Sequence, residues 1–102
     1  MGFRVVITKP AINDLAEIVR YISCENPAAG AQTGFRLIEK AESLGELPLR
    51  GRVVPERKQG DCREIILKPY RIVYRVNEGK NLVEVLRYWH AARGTPVIIE
   101  QE

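Results

Sequence analysis

The alternation of apolar and polar positions divides this chain into an opening strand, two helices, a loop and three closing strands. Phe3 to Thr8 (FRVVIT) alternates weakly and is rich in β-branched residues, which predicts a strand. Ile12, Leu15, Ile18, Val19 and Ile22 then recur at helical spacing as far as about Cys24, while Asp14, Glu17 and Arg20 take other faces. Thr8 stands where a cap is expected, and Pro10 falls in the first turn, where a missing N–H costs little. Asn26-Pro27 marks a second helix start, an N-cap followed by proline. Ala31, Phe35, Ile38, Ala41 and Leu44 form its expected buried stripe, and Gly45 suits its C-terminal cap. Gly30 and Gly34 each cost about 1 kcal/mol against alanine. One turn apart, they remove side chains that would hold the first helix away. A link this short between helices implies an antiparallel hairpin whose joint apolar face needs a sheet.

The sheet is supplied by Cys62–Lys68, Tyr70–Val76 and Leu82–Trp89, three runs of β-branched and aromatic residues punctuated by Lys68-Pro69 and Asn77–Lys80. Connections so short exclude parallel crossovers, so the three form an antiparallel meander. The expected fold is α+β in the order β-α-α-β-β-β, a single domain over residues 1–102 with the hairpin on one face of a small antiparallel sheet. Glu46 to Asp61 reads as a crossing loop, and the closing TPVIIEQE as either an edge strand or a tail. Strand parity sets Tyr70, Ile72, Tyr74 and Val76 on the helix side, with Arg71, Val73 and Arg75 opposite. The same parity puts Val83 and Val85 inward. It sets Glu84, Leu86, Tyr88 and His90 on the arginine side, with Glu64, Ile66 and Lys68. Unpaired buried charge is costly, so the arginine side is expected to be uncovered. Salt bridges from these arginines to Glu64 and Glu84 are the structural alternative to a functional role.

Composition sharpens this in one respect. The 102 residues are 45% hydrophobic and 28% charged, ordinary for one globular domain. No apolar run nears the roughly 20 residues that span a bilayer, and no signal peptide is evident, so the cytoplasm is the expected compartment. Cys24 and Cys62 lie far apart without metal-ligand spacing, so neither a metal nor a cofactor is expected. The net charge is only +3, yet residues 50–93 hold eleven Lys/Arg against five Asp/Glu. A basic surplus concentrated on the sheet and its entry loop suggests an anionic partner, nucleic acid or an acidic protein segment.

Several motifs run in a characteristic order. Ala11, Asp14, Leu15, Glu17, Ile18, Tyr21 and Ile22 give A-x-x-D-L-x-E-I-x-x-Y-I, followed by Asn26-Pro27-Ala28-Ala29. Leu47, Pro48, Gly51 and Arg52 give L-P-x-x-G-R, and Pro55-Glu56 follows. Arg63 to Arg93 closes with R-E-I, Y-R-I-V-Y-R-V, V-E-V-L-R and H-A-A-R. Over nearly its whole length the chain resembles the RelE/ParE superfamily, the toxic halves of type II toxin–antitoxin pairs once called plasmid stabilisation proteins.

The resemblance implies a cytoplasmic growth inhibitor neutralised by a cognate antitoxin, with which it forms a hetero-oligomer. Two targets are implied by its two branches. RelE-like members are ribosome-dependent, metal-independent endoribonucleases. They need a base, an acid for the leaving oxygen and cations on the phosphate. By resemblance these would be Glu56 as base, Arg71 as phosphate clamp and either His90 or Tyr88 as acid, with Trp89 the alternative to His90 in alignment. ParE-like members poison DNA gyrase and generally lack the full nucleolytic set. The closing motifs look more like this branch. In either case Arg63, Arg75, Arg87 and Arg93 are the expected target contacts. On this layout Arg71→Ala is expected to spare the fold and weaken toxicity. A degenerate, non-toxic binding module is the third reading.

Overall fold

The computed structural model describes residues 2–55, 62–94 and 96–98. Strand β1 (Arg4–Ile7) leads into helix α1 (Lys9–Ser23), then helix α2 (Pro27–Glu42) and a short 3-10 turn at Ser43–Gly45. Strands β2 (Arg52–Val53), β3 (Arg63–Leu67), β4 (Tyr70–Asn77) and β5 (Leu82–His90) follow. The sheet order is β1-β5-β4-β3-β2. β1 runs parallel to β5 and every other pairing is antiparallel. Both helices cover one face, closing a core that includes Leu37, Ala41, Leu44, Ile72, Tyr74, Val83, Val85 and Tyr88. No described helix is long and apolar enough to cross a membrane.

The helical hairpin forms as expected, but its contact line is rotated. Gly30, Gly34, Leu37 and Ala41 are the buried positions of α2, whereas Phe35 is 74% exposed and Ala31 also faces out. The glycines set this choice. A Cβ on Gly34 would lie 2.8 Å from Val19 Cγ2, and one on Gly30 would lie 3.0 Å from Val19 O. α1 therefore lies in the trough they leave, and the larger residues beside them turn to solvent. On α1 the buried residues are Ala11 and Asp14, while Ile12 is 51% exposed.

Two caps also differ from expectation. Asn26 caps α2 by accepting from the Ala29 N–H at 3.1 Å, as read. Thr8 makes no side-chain cap; its hydroxyl donates instead to Val85 O at 2.8 Å. Gly45 ends the 3-10 turn rather than capping α2. Its missing side chain admits β1, because a Cβ there would meet Phe3 O at 2.8 Å.

The closing meander departs from strict parity at one point. Tyr74 pairs with Val85 but Val73 pairs with Arg87, so Leu86 is an extra residue in β5, a β-bulge. Beyond it every side chain changes face. Tyr88 and His90 therefore lie opposite Ile72 and Tyr70 on the helix side, while Arg87 and Trp89 lie opposite Val73 and Arg71. This corrects the expected placement of Tyr88 and His90.

Nor is the arginine side bare. Val54, Cys62, Val73 and Leu86 form a second buried cluster there, with Ile98 packed against it. The region expected to be only loop contributes the short edge strand β2 and Val54. Residues 96–98 belong to no regular element, with Pro96 buried.

Candidate functional site

The basic residues of the sheet are held by carboxylates at fixed registers. Arg71 on β4 lies opposite Ile66 on β3 and Trp89 on β5. Its Nε donates to Glu64 Oε1 at 2.5 Å. The Glu64 side chain is fully buried and also accepts from Arg52 Nε at 2.5 Å, Arg52 itself being 66% exposed. One buried carboxylate thus lies between two guanidiniums. Arg75 pairs with Glu84, its register partner on β5, at 3.3 Å.

Arg87 is tied to helix α1. Its Nε and Nη2 donate to the two oxygens of Asp14, both at 2.7 Å. Asp14 also accepts from the Tyr88 N–H at 3.1 Å. β1 stops at Ile7, so the next part of β5 has no strand beside it there. Asp14 supplies the missing acceptor and neutralises the bulge arginine at once. The hydrogen bond to Asp14 raises the Arg87 pKa, with burial opposing. The guanidinium carbon of Arg87 lies 4.9 Å from the Trp89 ring centroid and that of Arg93 lies 4.1 Å away. Trp89 Nε1 donates to Gly94 O at 3.1 Å.

Arg71, Arg75, Arg87, Trp89 and Arg93 therefore gather on or beside one face. Arg63 does not join them; it lies in the row of Tyr74 and donates to Gly51 O at 2.8 Å, holding the entry to β2. Tyr88 is buried beneath α2, its hydroxyl donating to Leu37 O at 3.3 Å. Burial drives its phenol pKa far up, assisted by Glu42. His90 meets Tyr70 edge to face at 5.4 Å, and its Nδ1 accepts from the Ala92 N–H at 3.1 Å. These two line a groove of about 560 Å³ with Glu17, Arg20, Tyr21 and Arg93. Arg93 reaches both regions, lining this groove and lying over the Trp89 ring. Glu56 lies outside the described residues. No group of three or more His, Cys, Asp or Glu side chains among the described residues could hold a metal ion.

Sequence reading missed Asp14 and Trp89 as organising residues, whereas the salt bridges to Glu64 and Glu84 that it held as an alternative are present. A signal for the first was present. Strict parity would have set Arg87 beside Val83 and Val85 under the helices, an untenable place for a charge without a carboxylate on α1.

The profile of the ParE toxin of type II toxin–antitoxin systems, parDE, matches residues 5–94. The chain belongs to this toxin family. Within the wider RelE/ParE superfamily, this toxin is 40% identical over 91 residues to Toxin RelE2 of Caulobacter vibrioides, covering 88% of this chain and 97% of that protein. Its fold is similar to the RelBE2 toxin–antitoxin complex of Mycobacterium tuberculosis, at TM-score 0.67 and 25% identity over 88% of this chain and 99% of that one. It is also similar to a chromosomal ParDE system of P. aeruginosa, at TM-score 0.72 over 87% and 96%; identity there is 22%, which speaks for the fold alone. The family is that of toxins from type II toxin–antitoxin systems, and the M. tuberculosis structure is one such toxin with its antitoxin.

Proposed function

We propose that this toxin arrests growth by binding and inhibiting DNA gyrase, and that it is not a ribosome-dependent endoribonuclease. The observation that carries the reading is the separation of Arg71 from the acids that the RNase reading pairs with it, His90 and Tyr88. Cleavage by the 2′-hydroxyl requires an acid and a phosphate-binding cation to reach one phosphodiester. Arg71 is engaged by the buried Glu64 on one face of the sheet, whereas His90 and Tyr88 project to the other. A binding surface has no such requirement. Arg52, Arg75 and Arg93, with the exposed Ile66, offer mixed cationic and apolar contact of the kind found at protein interfaces. Arg63 and Arg87 act in this reading as supports for that surface.

The endoribonuclease reading draws on the name of the Caulobacter relative, with Glu56 as base and Arg71 and His90 as its partners. Two assays separate the readings. Purified toxin is expected to inhibit supercoiling by gyrase and to leave translated mRNA uncut in primer extension. Cleavage at the ribosomal A site, abolished by His90→Ala, would overturn the proposal. Harmless expression of folded protein would favour a non-toxic binding module.

A further inference from the structure

The arginine face is occupied by the chain itself. Past β5, Gly94 turns with φ 81° and ψ −137°, a conformation that side chains rarely adopt. Its carbonyl accepts from Trp89 Nε1 at 3.1 Å and from Arg71 Nη1 at 3.4 Å. Further along, Val97 O accepts from Arg87 Nη1 at 2.7 Å. Ile98 then packs against Val54, Cys62, Val73 and Leu86. Gly94 and Pro96–Ile98 thus form a strap that engages the indole, two arginines and the apolar cluster of this face together.

We infer that this strap stands in for a segment of the protein target, and that the arginine face accepts an extended segment of gyrase once the strap has left. The inference rests on the gyrase reading above. It deepens that reading by naming the chemistry recognised: main-chain carbonyls for Arg71, Arg87 and Trp89, and one aliphatic side chain for the cluster. That chemistry is a protein's. A phosphodiester backbone would satisfy the guanidiniums but has no aliphatic group for the seat that Ile98 fills. Among the described residues the strap is held through the carbonyls of Gly94 and Val97, the buried Pro96 and the half-buried Ile98, and Gly94 lies at its start. Binding then depends on the fraction of molecules with the strap released, since apparent affinity scales with that fraction.

Cys62 makes the inference testable in the full chain. Ile98→Cys, in a background with the exposed Cys24 changed to Ser, brings a second thiol against the buried Cys62. Oxidation is expected to join the two and fix the strap, lowering potency against gyrase supercoiling by about tenfold or more, with recovery in dithiothreitol. Ile98→Asp, which unseats the strap, is expected to raise potency. Trp89 is the single tryptophan, so 5-fluorotryptophan gives one ¹⁹F resonance. Adding gyrase to the wild-type chain should move that resonance toward its position in Ile98→Asp. Equal potency of oxidised and reduced forms overturns the inference, and so does failure of the two thiols to join. Loss of single-stranded RNA binding on oxidation, with gyrase inhibition retained, would assign the face to nucleic acid and also overturn it. A wild-type toxin inert toward gyrase instead removes the reading on which the inference stands.

Discussion

Removing the Arg71 guanidinium, as in Arg71→Met, should cost stability before it costs activity. The Glu64 side chain has no exposure and that of Arg71 has 10%. Taking one partner from a buried ion pair typically costs about 3–5 kcal/mol, because the other charge stays desolvated. Arg52 still holds Glu64 in the variant, which argues for the lower end, about 3 kcal/mol. For a domain whose total is on the order of 5–15 kcal/mol, that is a large fraction. At about 4–8 °C per kcal/mol, Tm should fall by roughly 12–24 °C. Urea unfolding followed by far-UV circular dichroism measures the loss without relying on Trp89, which lies beside the change. Glu64→Gln and the double variant complete a cycle whose coupling should reach about 2 kcal/mol, with the double variant more stable than the two single losses would sum to. A loss below about 1 kcal/mol for Arg71→Met, the range of exposed pairs, would refute the argument. So would additive effects. The expectation from sequence, that this arginine could be removed without harm to the fold, is what this measurement tests, and the buried carboxylate argues against it.

Asp14→Asn keeps an acceptor for the Tyr88 N–H but loses the charge facing Arg87, and should cost about 1–2 kcal/mol. Asp14→Ala removes both and should cost about 3 kcal/mol or more; equal losses in urea unfolding would deny the carboxylate its role at the edge of β5. Gly34→Ala should destabilise, overpacking against Val19 at about 1–3 kcal/mol outweighing the better helix propensity. In a Val19→Ala background the same change should become neutral or stabilising by up to about 1 kcal/mol, and thermal melts decide it. Burial holds the phenols of Tyr70, Tyr74 and Tyr88 protonated above their ordinary value of 10.0. The unfolded chain then loses these protons first. Stability should be intact below about pH 10 and decline as pH rises through the folded values. Absorbance at 295 nm should show Tyr88 ionising last; its ionisation near pH 10 in folded protein would contradict its seat beneath α2.

Local pattern by itself determined much of this toxin. Helical spacing with Asn26-Pro27, three β-rich runs and short connections were enough for a helical hairpin on a sheet, because each depends on neighbours a few residues apart. The motif order was enough for the superfamily. What the tertiary structure decided was orientation. The extra residue Leu86 reverses the faces of β5 beyond it, since side chains alternate with period two and one inserted residue inverts the rest. That reversal sends His90 and Tyr88 away from Arg71. The glycine track of α2 turned Phe35 outward because α1 approaches on the glycine side. Glu64, Asp14 and the strap at Gly94 and Pro96–Ile98 hold arginines whose sequence positions are 7 to 73 residues from their carboxylates. A charge's partner across a sheet or beneath a helix depends on register and packing, and these exist only once the chain has folded.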